Sequence, residues 1–444
     1  MRIFWHQEDL RMEENVGLFQ ACQENPQLIP CFILDPSLHL GKASQWWLYK
    51  SLQALEKEYA KQGVQLILQK GNPVTILKQM NPERLYWNQT GSKIEEEVQR
   101  TFGKKGKSWN GNHLVDLPHF FNRQGKPFKV FSPFYKAFLK EMTLCKVKRF
   151  KIKPGPSTQG VSLDALNLIS KKQAIDSLAN DWTPGRTGGL RCLHAFDDEN
   201  YQAERNVPSK RGTSRLSPHL HFGELSLSEV WEKTKTEAFR RQLVWREFGA
   251  YFLLHFPESP KENWKKKFDV FPWKTHSPLF KKWCMGQTGY PFVDAGMRQL
   301  LKEGWMHNRV RMVVASFLIK DLFIDWRKGA EWFWDHLVDA DLGNNTLGWQ
   351  WVAGSGPDAA PFFRVFNPVL QGETFDPEGA YVKTYCPELN RLSPQWIHKP
   401  WLAPSAVLKE AQLELGKTYP HPIVDHADCR DKALAAFQKL KESN

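Results

Sequence analysis

Apolar and polar residues follow two different patterns along the chain. Up to about residue 120, short apolar runs such as "RIFW", "LIPCFIL", "VQLILQ" and "RLYWN" alternate with helical patterns such as "ASQWWLYKSLQALEKEYAKQ" and "KIEEEVQRTF". Strands that alternate with helices are typical of a parallel β-sheet with helices packed on it. The first run continues into "HQEDLRMEEN" without a G-x-G-x-x-G turn, which argues against a standard dinucleotide site there. Residues 1–125 are therefore predicted to form an α/β N-terminal domain with a Rossmann-like parallel sheet.

The pattern changes twice after residue 125. Residues 126–188 contain "KIKPGPSTQG" and "DWTPGRTGG", and their Gly, Pro and Lys content predicts an interdomain linker. From residue 189 onward nearly every segment has a 3.6-residue period, which predicts a larger all-α C-terminal domain over 189–444.

The segment "GWMHNRVRM", residues 304–312, precedes the apolar run "VVASFLIKDLFIDW" and is predicted to begin a buried helix. On that helix Trp305, Asn308 and Met312 would share one face, at spacings of three and four. Unpaired polar groups in a core cost roughly 1–3 kcal/mol each. The polar residues of this segment are therefore expected to face either water or a ligand.

Composition adds three constraints to this picture. The 61 Lys and Arg residues outnumber 48 Asp and Glu, and the net charge of +13 favours an acidic partner such as nucleic acid, although a basic surface alone would also produce it. Nineteen tryptophans exceed what packing requires, and each offers a flat stacking face and an oxidisable ring. Seven cysteines without a CxxC pair indicate reduced thiols and a cytoplasmic location. No apolar run reaches 18 residues, so no membrane span is predicted.

Two segments offer candidate chemistry near helix starts. "RGTSRLSPHLHFGELS" places hydroxyls and an arginine before a helix, which suits either a phosphate or simple helix capping. In "RRQLVWREF" the side chains of Gln242, Trp245 and Arg246 share a helix face; the alternative is a core tryptophan flanked by surface groups.

A third segment, "DADLGNNTLGWQWVAGSGPDAAPFFRVFNP", supplies acids, amides and tryptophans. Arg311 could pair with Asp339 or Asp341 from this segment. Its glycines are not followed by a Walker lysine, which argues against a P-loop NTPase. Aromatic faces, amides and an Arg–Asp pair fit a flat, hydrogen-bonding cofactor beside a nucleic acid, but periodicity alone does not name that cofactor.

Five motifs resemble the photolyase/cryptochrome family, in particular its bacterial cyclobutane-pyrimidine-dimer branch. In order along the chain they are "GTSRLSPHL", "WREF", "TGYPFVDAGMRQL", "GWMHNRVRM" and "DADLGNNTLGWQWVAGSGPDAAPFFRVFNP". The resemblance is dense over residues 189–425. It implies a monomeric enzyme that binds FAD and ultraviolet-damaged DNA, without a metal or a membrane. It also implies that excited reduced flavin donates an electron, which splits the cyclobutane ring.

The resemblance also assigns the cofactor positions. Those around the FAD phosphates and ribityl chain are Tyr201, Thr213, Ser214, Arg215, Leu216 and Ser217. Those beside the flavin ring are Arg246, Trp305, Asn308, Arg311, Asp339, Asp341 and Asn345. Arg311 and Asp339 are expected to form an ion pair, and Asn345 is expected to accept a hydrogen bond from the protonated flavin N5.

The remaining family positions concern DNA and electrons. The lesion-facing positions are Gln242, Asn308, Arg309 and Met312, with Trp245 and Trp351 as stacking walls for the damaged bases. The electron chain from the surface to the flavin corresponds to Trp349, Trp326 and Trp273. The branch that repairs 6-4 photoproducts carries histidines at the positions of Asn308 and Met312, so the resemblance favours the cyclobutane dimer.

Two departures from the family pattern leave alternatives open. Gln242 stands where cyclobutane-dimer enzymes typically carry Glu, so a cryptochrome-type photoreceptor with weak or no repair remains the alternative function. A flavin-free relative that binds nucleic acid is a third possibility. The stretch "YWNQTGSKIEEEV" lacks the usual residues that hold an antenna chromophore, so methenyltetrahydrofolate or deazaflavin is left open.

Overall fold

The structure of the chain, a computed structural model, describes residues 1–169, 176–274, 278–358 and 363–442. Part of the motif "SGPDAAPFF", residues 359–362, therefore lies outside the described residues. The strands are β1 (Arg2–His6), β2 (Gln27–Leu34), β3 (Ile67–Lys70), β4 (Arg84–Asn88), β5 (Gly106–Trp109) and β6 (Lys153–Pro154).

Helices account for most of the regular secondary structure in the described residues. In chain order they are α1 (Val16–Glu24), α2 (Lys42–Ala60), α3 (Pro73–Met80), α4 (Lys93–Phe102), α5 (Phe131–Glu141), α6 (Arg186–Ala195), α7 (Tyr201–Glu204), α8 (Ser217–His221), α9 (Leu227–Lys233), α10 (Glu237–His255), α11 (Pro278–Cys284), α12 (Pro291–Glu303), α13 (Asn308–Ser316), α14 (Trp326–His336), α15 (Leu342–Ala353), α16 (Pro368–Phe375), α17 (Ala380–Tyr385), α18 (Pro394–Ile397), α19 (Ser405–Glu410) and α20 (His426–Glu442). Among the described helices none is both long and apolar enough to cross a membrane.

The chain divides into two compact units. The first unit consists of Met1–Glu199, Ser214–Phe256 and Val338–Ala340, and the second unit consists of Asn200–Thr213, Pro257–Leu337 and Asp341–Asn444. The domain limits predicted at residues 125 and 188 come from changes in the sequence pattern, whereas the two units come from compactness in space. Those limits therefore stay a prediction.

The first unit is built around a parallel sheet, as predicted. Its strand order is β3-β2-β1-β4-β5, and β6 pairs with the start of β2. Alternate residues on one face of the sheet form a buried cluster with side chains of α3 and α4: Ile3, Trp5, Ile29, Cys31, Ile33, Ile67, Leu85, Trp87, Val74, Leu77 and Val98. The apolar runs of the strands therefore form the core of this unit.

Three elements of the sheet region were not predicted, among them the two-residue strand β6, which lies in the predicted linker. Helix α1 follows the charged stretch "HQEDLRMEEN"; it is capped by Asn15, whose side chain accepts from Leu18 N, and it buries Leu18, Ala21 and Cys22 at spacings of three and four. Strand β5 has only four residues and pairs with β4 from Leu85 to Asn88. A run that short carries too few apolar positions to give a period.

The predicted helix from residue 304 is corrected in two respects. Helix α13 begins at Asn308, because the His307 ring accepts from Arg309 N and caps the helix. Trp305 therefore precedes the helix and does not share its face. Second, α13 gives way to a π-helical turn at Phe317–Asp321, and a separate helix begins at Trp326.

Candidate functional site

The start of α13 in the second unit carries four of the predicted site residues. The amide of Asn308 lies 4.0 Å from the sulfur of Met312, one turn later, so these two side chains do share a face. Asn308 is exposed and Met312 is partly exposed. Arg311 points the other way: its Nε donates to Met306 O at 2.8 Å, and its guanidinium lies 5.9 Å from the Trp305 ring centre.

Arg309 belongs to a group of arginines that we call the arginine cluster: Arg205, Arg309 and Arg364. Burial and repulsion from the other two guanidinium groups lower the pKa of Arg309. One terminal nitrogen donates to Asn206 Oδ1 at 2.9 Å, and the guanidinium lies 4.3 Å from the ring centre of Phe375. Its buried Nε has no hydrogen-bond partner among the described residues. Mutually repelling cations with an unused donor favour an anionic ligand.

Sequence reasoning named Arg309 but missed Arg205 and Arg364. Both lie in segments that were singled out: Arg364 in "FFRVFNP", and Arg205 four residues after Tyr201. Arg205 also lies over the Tyr201 ring, 5.1 Å from its centre. In the sequence, each of these two residues is a lone arginine beside a motif. The sequence alone does not distinguish such an arginine from an ordinary surface charge.

His307 adds a second unused donor to this part of the second unit. It is 2% exposed, and burial together with Arg311, Arg309 and Arg205 lowers its pKa to about 4. The ring is therefore neutral at pH 7. Because Nδ1 accepts from Arg309 N, the proton lies on Nε2, and this buried N–H has no partner among the described residues. It is suited to donate to a ligand or a bound water.

A buried network supports the turn that precedes α13. Gln299 Oε1 accepts from His307 N at 3.3 Å and from the Tyr381 hydroxyl at 2.8 Å. Gln299 Nε2 donates to the Tyr385 hydroxyl at 3.0 Å and to Glu303 at 3.4 Å, and Tyr385 in turn donates to Glu303. The amide of Gln299 thus has all its hydrogen-bonding capacity used, which fixes the backbone from which α13 starts.

Helix α15 carries the next group of predicted residues in the second unit. Asp341 caps the helix by accepting from Asn344 N at 2.8 Å. Asn345 Nδ2 donates to Ala330 O at 3.0 Å, which orients the amide and leaves Oδ1 as its acceptor atom. Trp351 is partly exposed, whereas Trp349 is buried at 3% exposure, so the two tryptophans differ in access to solvent.

The three tryptophans of the predicted electron chain all belong to the second unit. Trp349 packs against Phe333, with ring centres 4.9 Å apart. Trp326 is fully buried and donates to Asn263 Oδ1 at 2.9 Å, and Trp273 is partly exposed and donates to Phe268 O at 3.3 Å. A bridge between Lys274 and Ile324 brings the segment of Trp273 next to the segment that leads into Trp326.

Residues 214–217 form a tight turn in the first unit. Arg215 has a positive φ of 54°, rare for a residue with a Cβ, and Leu216 has a φ of −84°. Residues with φ of opposite sign turn successive N–H groups to one side, as in anion-binding loops. The Ser214 hydroxyl accepts from Leu216 N at 3.3 Å, Ser217 begins α8, and the Arg215 guanidinium lies 4.2 Å from the ring centre of Trp182.

Helix α10, also in the first unit, carries two of the residues predicted to contact the lesion, Gln242 and Trp245. The ring of Trp245 stacks on Phe131 with centres 3.6 Å apart and planes 4° from parallel, so Phe131 covers one face of the indole. Gln242 Nε2 donates to Ala238 O at 3.3 Å. Arg246, one residue after Trp245, is partly exposed.

Glu247 of the same helix was not predicted to matter. It is 1% exposed and accepts from Leu114 N at 3.0 Å, and the His113 ring contacts its other oxygen at 2.8 Å. Burial lowers the pKa of His113, but the attraction of Glu247 outweighs it and the pKa is raised. Glu247 thus anchors α10 to the loop after β5 and fixes the helix that carries Trp245.

The remaining predicted flavin positions are divided between the units. Tyr201, buried at 7% exposure, and Thr213 belong to the second unit, and Asp339, 8% exposed, belongs to the first. The expected ion pair of Arg311 and Asp339 therefore joins residues of different units and stays a prediction.

The carboxyl edge of the sheet, where strand order reverses between β1 and β4, is the usual ligand site of such folds. Here buried side chains fill it. Asn88 Nδ2 donates to Asp9 at 2.6 Å and to Asn15 at 2.7 Å, and Asn88 Oδ1 accepts from Gly17 N at 2.9 Å. A Cβ on Gly111 would lie 2.0 Å from Asn88 Oδ1. The chain's own side chains thus take up the space at this edge.

Two family models match different parts of the chain. Residues 2–156 match the family described as DNA photolyase, and residues 239–439 match the FAD binding domain of DNA photolyase. The chain is 42% identical to deoxyribodipyrimidine photo-lyase of Agrobacterium fabrum, over 99% of this chain and 98% of that protein. It is 34% identical to cryptochrome-1 of Arabidopsis thaliana, over 100% of this chain and 71% of that protein. The crystal structure of a bacterial class III photolyase from Agrobacterium tumefaciens, 41% identical, superposes with a TM-score of 0.94 and covers 99% of this chain and 98% of that one.

Proposed function

Because the chain belongs to the DNA photolyase family, we propose that it is a light-dependent deoxyribodipyrimidine photolyase that splits cyclobutane pyrimidine dimers. The observation that carries the proposal is the arginine cluster. Three guanidinium groups and the unused donors of Arg309 and His307 adjoin the helix that presents Asn308 and Met312. A DNA phosphate supplies the anion that these donors lack.

Base recognition is assigned to side chains on three helices, α13 and α15 in the second unit and α10 in the first. On α13, Asn308 offers hydrogen bonds to a base edge and Met312 offers a soft apolar contact. On α10, Trp245 is held flat by Phe131 and is suited to stack on a base. On α15, the partly exposed Trp351 is suited to the same role. Photolyases are among the known base-flipping enzymes, and such stacking surfaces compensate for the interactions that a flipped base loses.

The chain carries a photolyase-type FAD-binding domain, and its donor set fits that cofactor. When bound, FAD supplies a ring that absorbs blue light and donates one electron to the dimer. The 214–217 turn has the backbone shape and the hydroxyls for the diphosphate, and Asn345 Oδ1 is an acceptor for a protonated ring nitrogen. The residues proposed to bind FAD are, in the first unit, Ser214, Arg215, Leu216, Ser217, Arg246 and Asp339, and in the second unit Tyr201, Thr213, Trp305, Asn308, Arg311, Asp341 and Asn345.

Trp349, Trp326 and Trp273 are proposed to refill oxidised flavin with electrons from the surface. The exposure of the three rings supports Trp273 as the surface end of the chain, since Trp349 and Trp326 are buried and Trp273 is partly exposed. All seven cysteines are free thiols, which supports a cytoplasmic location. A monomeric state is proposed from the family resemblance alone. An antenna chromophore at the β1–β4 edge is not proposed, because Asn88 and its partners fill that edge.

A repair assay tests the proposal. The flavin of the purified protein is reduced chemically in the dark, and ultraviolet-irradiated oligothymidylate is added under blue light. Absorbance of intact thymine should recover over many turnovers in the light and not in the dark. A protein that binds flavin and photoreduces it without any thymine recovery would be a photoreceptor, and a folded protein without bound flavin would contradict both functions.

A further inference from the structure

Gly329 occupies an unfavourable place for a glycine. It lies inside α14, one turn after Trp326, and glycine in a helix interior costs roughly 0.5–1 kcal/mol relative to alanine. Its backbone does not have the positive φ that would favour glycine. The reason for glycine at this position must therefore be close packing and not backbone conformation.

The close neighbour is the indole of Trp349. A Cβ at residue 329 would lie 2.1 Å from Cη2 and 2.5 Å from Cζ3 of Trp349, and 2.6 Å from Cδ2 of Leu318. These contacts are well inside van der Waals separation, so the ring of Trp349 occupies the space of the missing side chain.

The ring of Trp349 has little room to retreat. Phe333 lies at 4.9 Å and Trp283 at 6.3 Å between ring centres, both edge-to-face, and Trp349 is only 3% exposed. Trp283 is itself fixed, because its Nε1 donates to Val314 O at 3.0 Å. A methyl group at residue 329 would therefore displace the indole from α14.

We propose that Gly329 is a positioning residue for electron transfer, which holds Trp349 against the helix that begins with Trp326. The inference rests on the proposed electron chain. With FAD bound, Trp349 would supply one electron to the photoexcited oxidised ring. Trp326 would then reduce the Trp349 radical, Trp273 would reduce the Trp326 radical, and a thiol reductant in solution would reduce the Trp273 radical. Electron transfer falls off exponentially with separation, so the approach of Trp349 to α14 sets the rate of the middle step.

The test compares Gly329→Ala with Gly348→Ala. Gly348 lies in α15 next to Trp349 and is exposed, and beyond its own helix backbone and chain neighbours no atom of the described residues lies within 4 Å of its Cβ position, so it is a matched control. In blue light with a thiol, G329A should photoreduce flavin about tenfold or more slowly, the loss expected for a displaced reacting group. G348A should match the wild type. With chemically reduced flavin, both variants should repair DNA at the wild-type rate, because that step bypasses the chain.

Trp349→Phe tests the electron chain separately from the positioning role of Gly329. If W349F photoreduces slowly but G329A does not, Gly329 has no positioning role and the inference is overturned. If W349F itself photoreduces at the wild-type rate, the proposed electron chain fails instead.

Stability gives a readout that does not depend on activity. G329A should lower the Tm of the otherwise wild-type protein, because the added methyl group clashes with the indole. The same substitution made in the W349F background should lower Tm by roughly half as much or less, as for coupled neighbours, because a phenyl ring is smaller than an indole. An equal loss in both backgrounds would show that the added methyl clashes elsewhere and would overturn the inference. This comparison remains informative when G329A retains too little flavin for kinetics.

Discussion

Gln242 stands in the proposed lesion site where the resemblance leads us to expect a Glu. Its amide is uncharged, and one of its protons is used by Ala238 O at 3.3 Å. The side chain is partly exposed on α10, one turn before Trp245, so it can still donate to a base carbonyl. An amide supplies no proton and no charge to a carbonyl that gains electron density. The amide is thus expected to hold the lesion without assisting the reaction.

Gln242→Glu should therefore speed repair severalfold, although less than the roughly 10²-fold typical of a full proton-transfer group. The measurement is the repair rate of chemically reduced protein under saturating light, so that the electron chain has no influence. Gln242→Met, similar in size but without hydrogen bonds, is the control and should be slower than the wild type. An unchanged rate for Q242E would mean that another step limits repair.

At the scale of elements, Glu224 connects three helices of the first unit. Its Oε1 accepts from Trp47 of α2 at 2.9 Å and from Gly185 N, just before α6, at 2.7 Å. Its other oxygen is bonded by His219 of α8. Both side chains are buried, and although burial lowers the pKa of His219, Glu224 and Cys192 raise it to about 9. The imidazolium therefore helps to hold α8, which the 214–217 turn precedes.

This pair gives stability a defined pH dependence. The folded pKa of His219, about 9, lies above the ordinary 6.5, so the native state holds a proton that the unfolded chain releases. Its stabilisation, on the order of 3 kcal/mol, is complete below pH 6.5 and disappears as the pH rises from there to 9. His219→Asn keeps a donor toward Glu224 but does not titrate. The Tm difference between wild type and H219N should therefore shrink across this window. A Tm difference that stays constant from pH 6 to pH 9 would refute a charged His219 in the folded protein, because the unfolded pKa of 6.5 and the folded pKa of about 9 both lie in that range.

Long periodic elements were predictable from sequence, and short or capped ones were not. The segments of α2, α10 and α20 carry many turns of one pattern, and the parallel sheet followed from its apolar runs. The start of α13 was misplaced because a histidine cap, unlike Ser or Asp, is not a usual start signal. The contact of Gly329 with Trp349 joins residues on different helices, so no local pattern reports it.

The same limit applies to the candidate site. Motifs named the side chains that a ligand would touch, such as Asn308 and Trp245, because their residue types suit that chemistry. Gln299, Glu247 and Glu224 lie inside the quoted segments but were given no role, although their buried hydrogen bonds hold the start of α13, helix α10 and helix α8 in place. A buried polar residue with its partners far away in sequence has no signature until the fold brings them together.

For the whole molecule, the question is whether the net charge of +13 or one local group governs DNA binding. Each phosphate that a cation neutralises releases counterions and adds about 0.9 to the slope of log affinity against log salt. If a general excess of positive charge governed DNA binding, removing any one surface lysine would change the salt slope by the same amount. The arginine cluster differs from such lysines because its members repel one another and Arg309 keeps an unused buried donor. Binding at the cluster should thus depend on Arg309 individually.

Arg309→Gln and Lys105→Gln each lower the net charge by one, and Lys105 is a residue of the short helical turn before β5. We expect the salt slope for damaged DNA to fall by about one for R309Q and to stay unchanged for K105Q. The slopes come from fluorescence-anisotropy titrations of a labelled, irradiated duplex at several salt concentrations, in the dark. Equal changes for the two variants would mean that overall charge sets the affinity. A difference confined to R309Q would assign the phosphate contact to the cluster, since the two proteins carry the same charge and differ only in where it was removed.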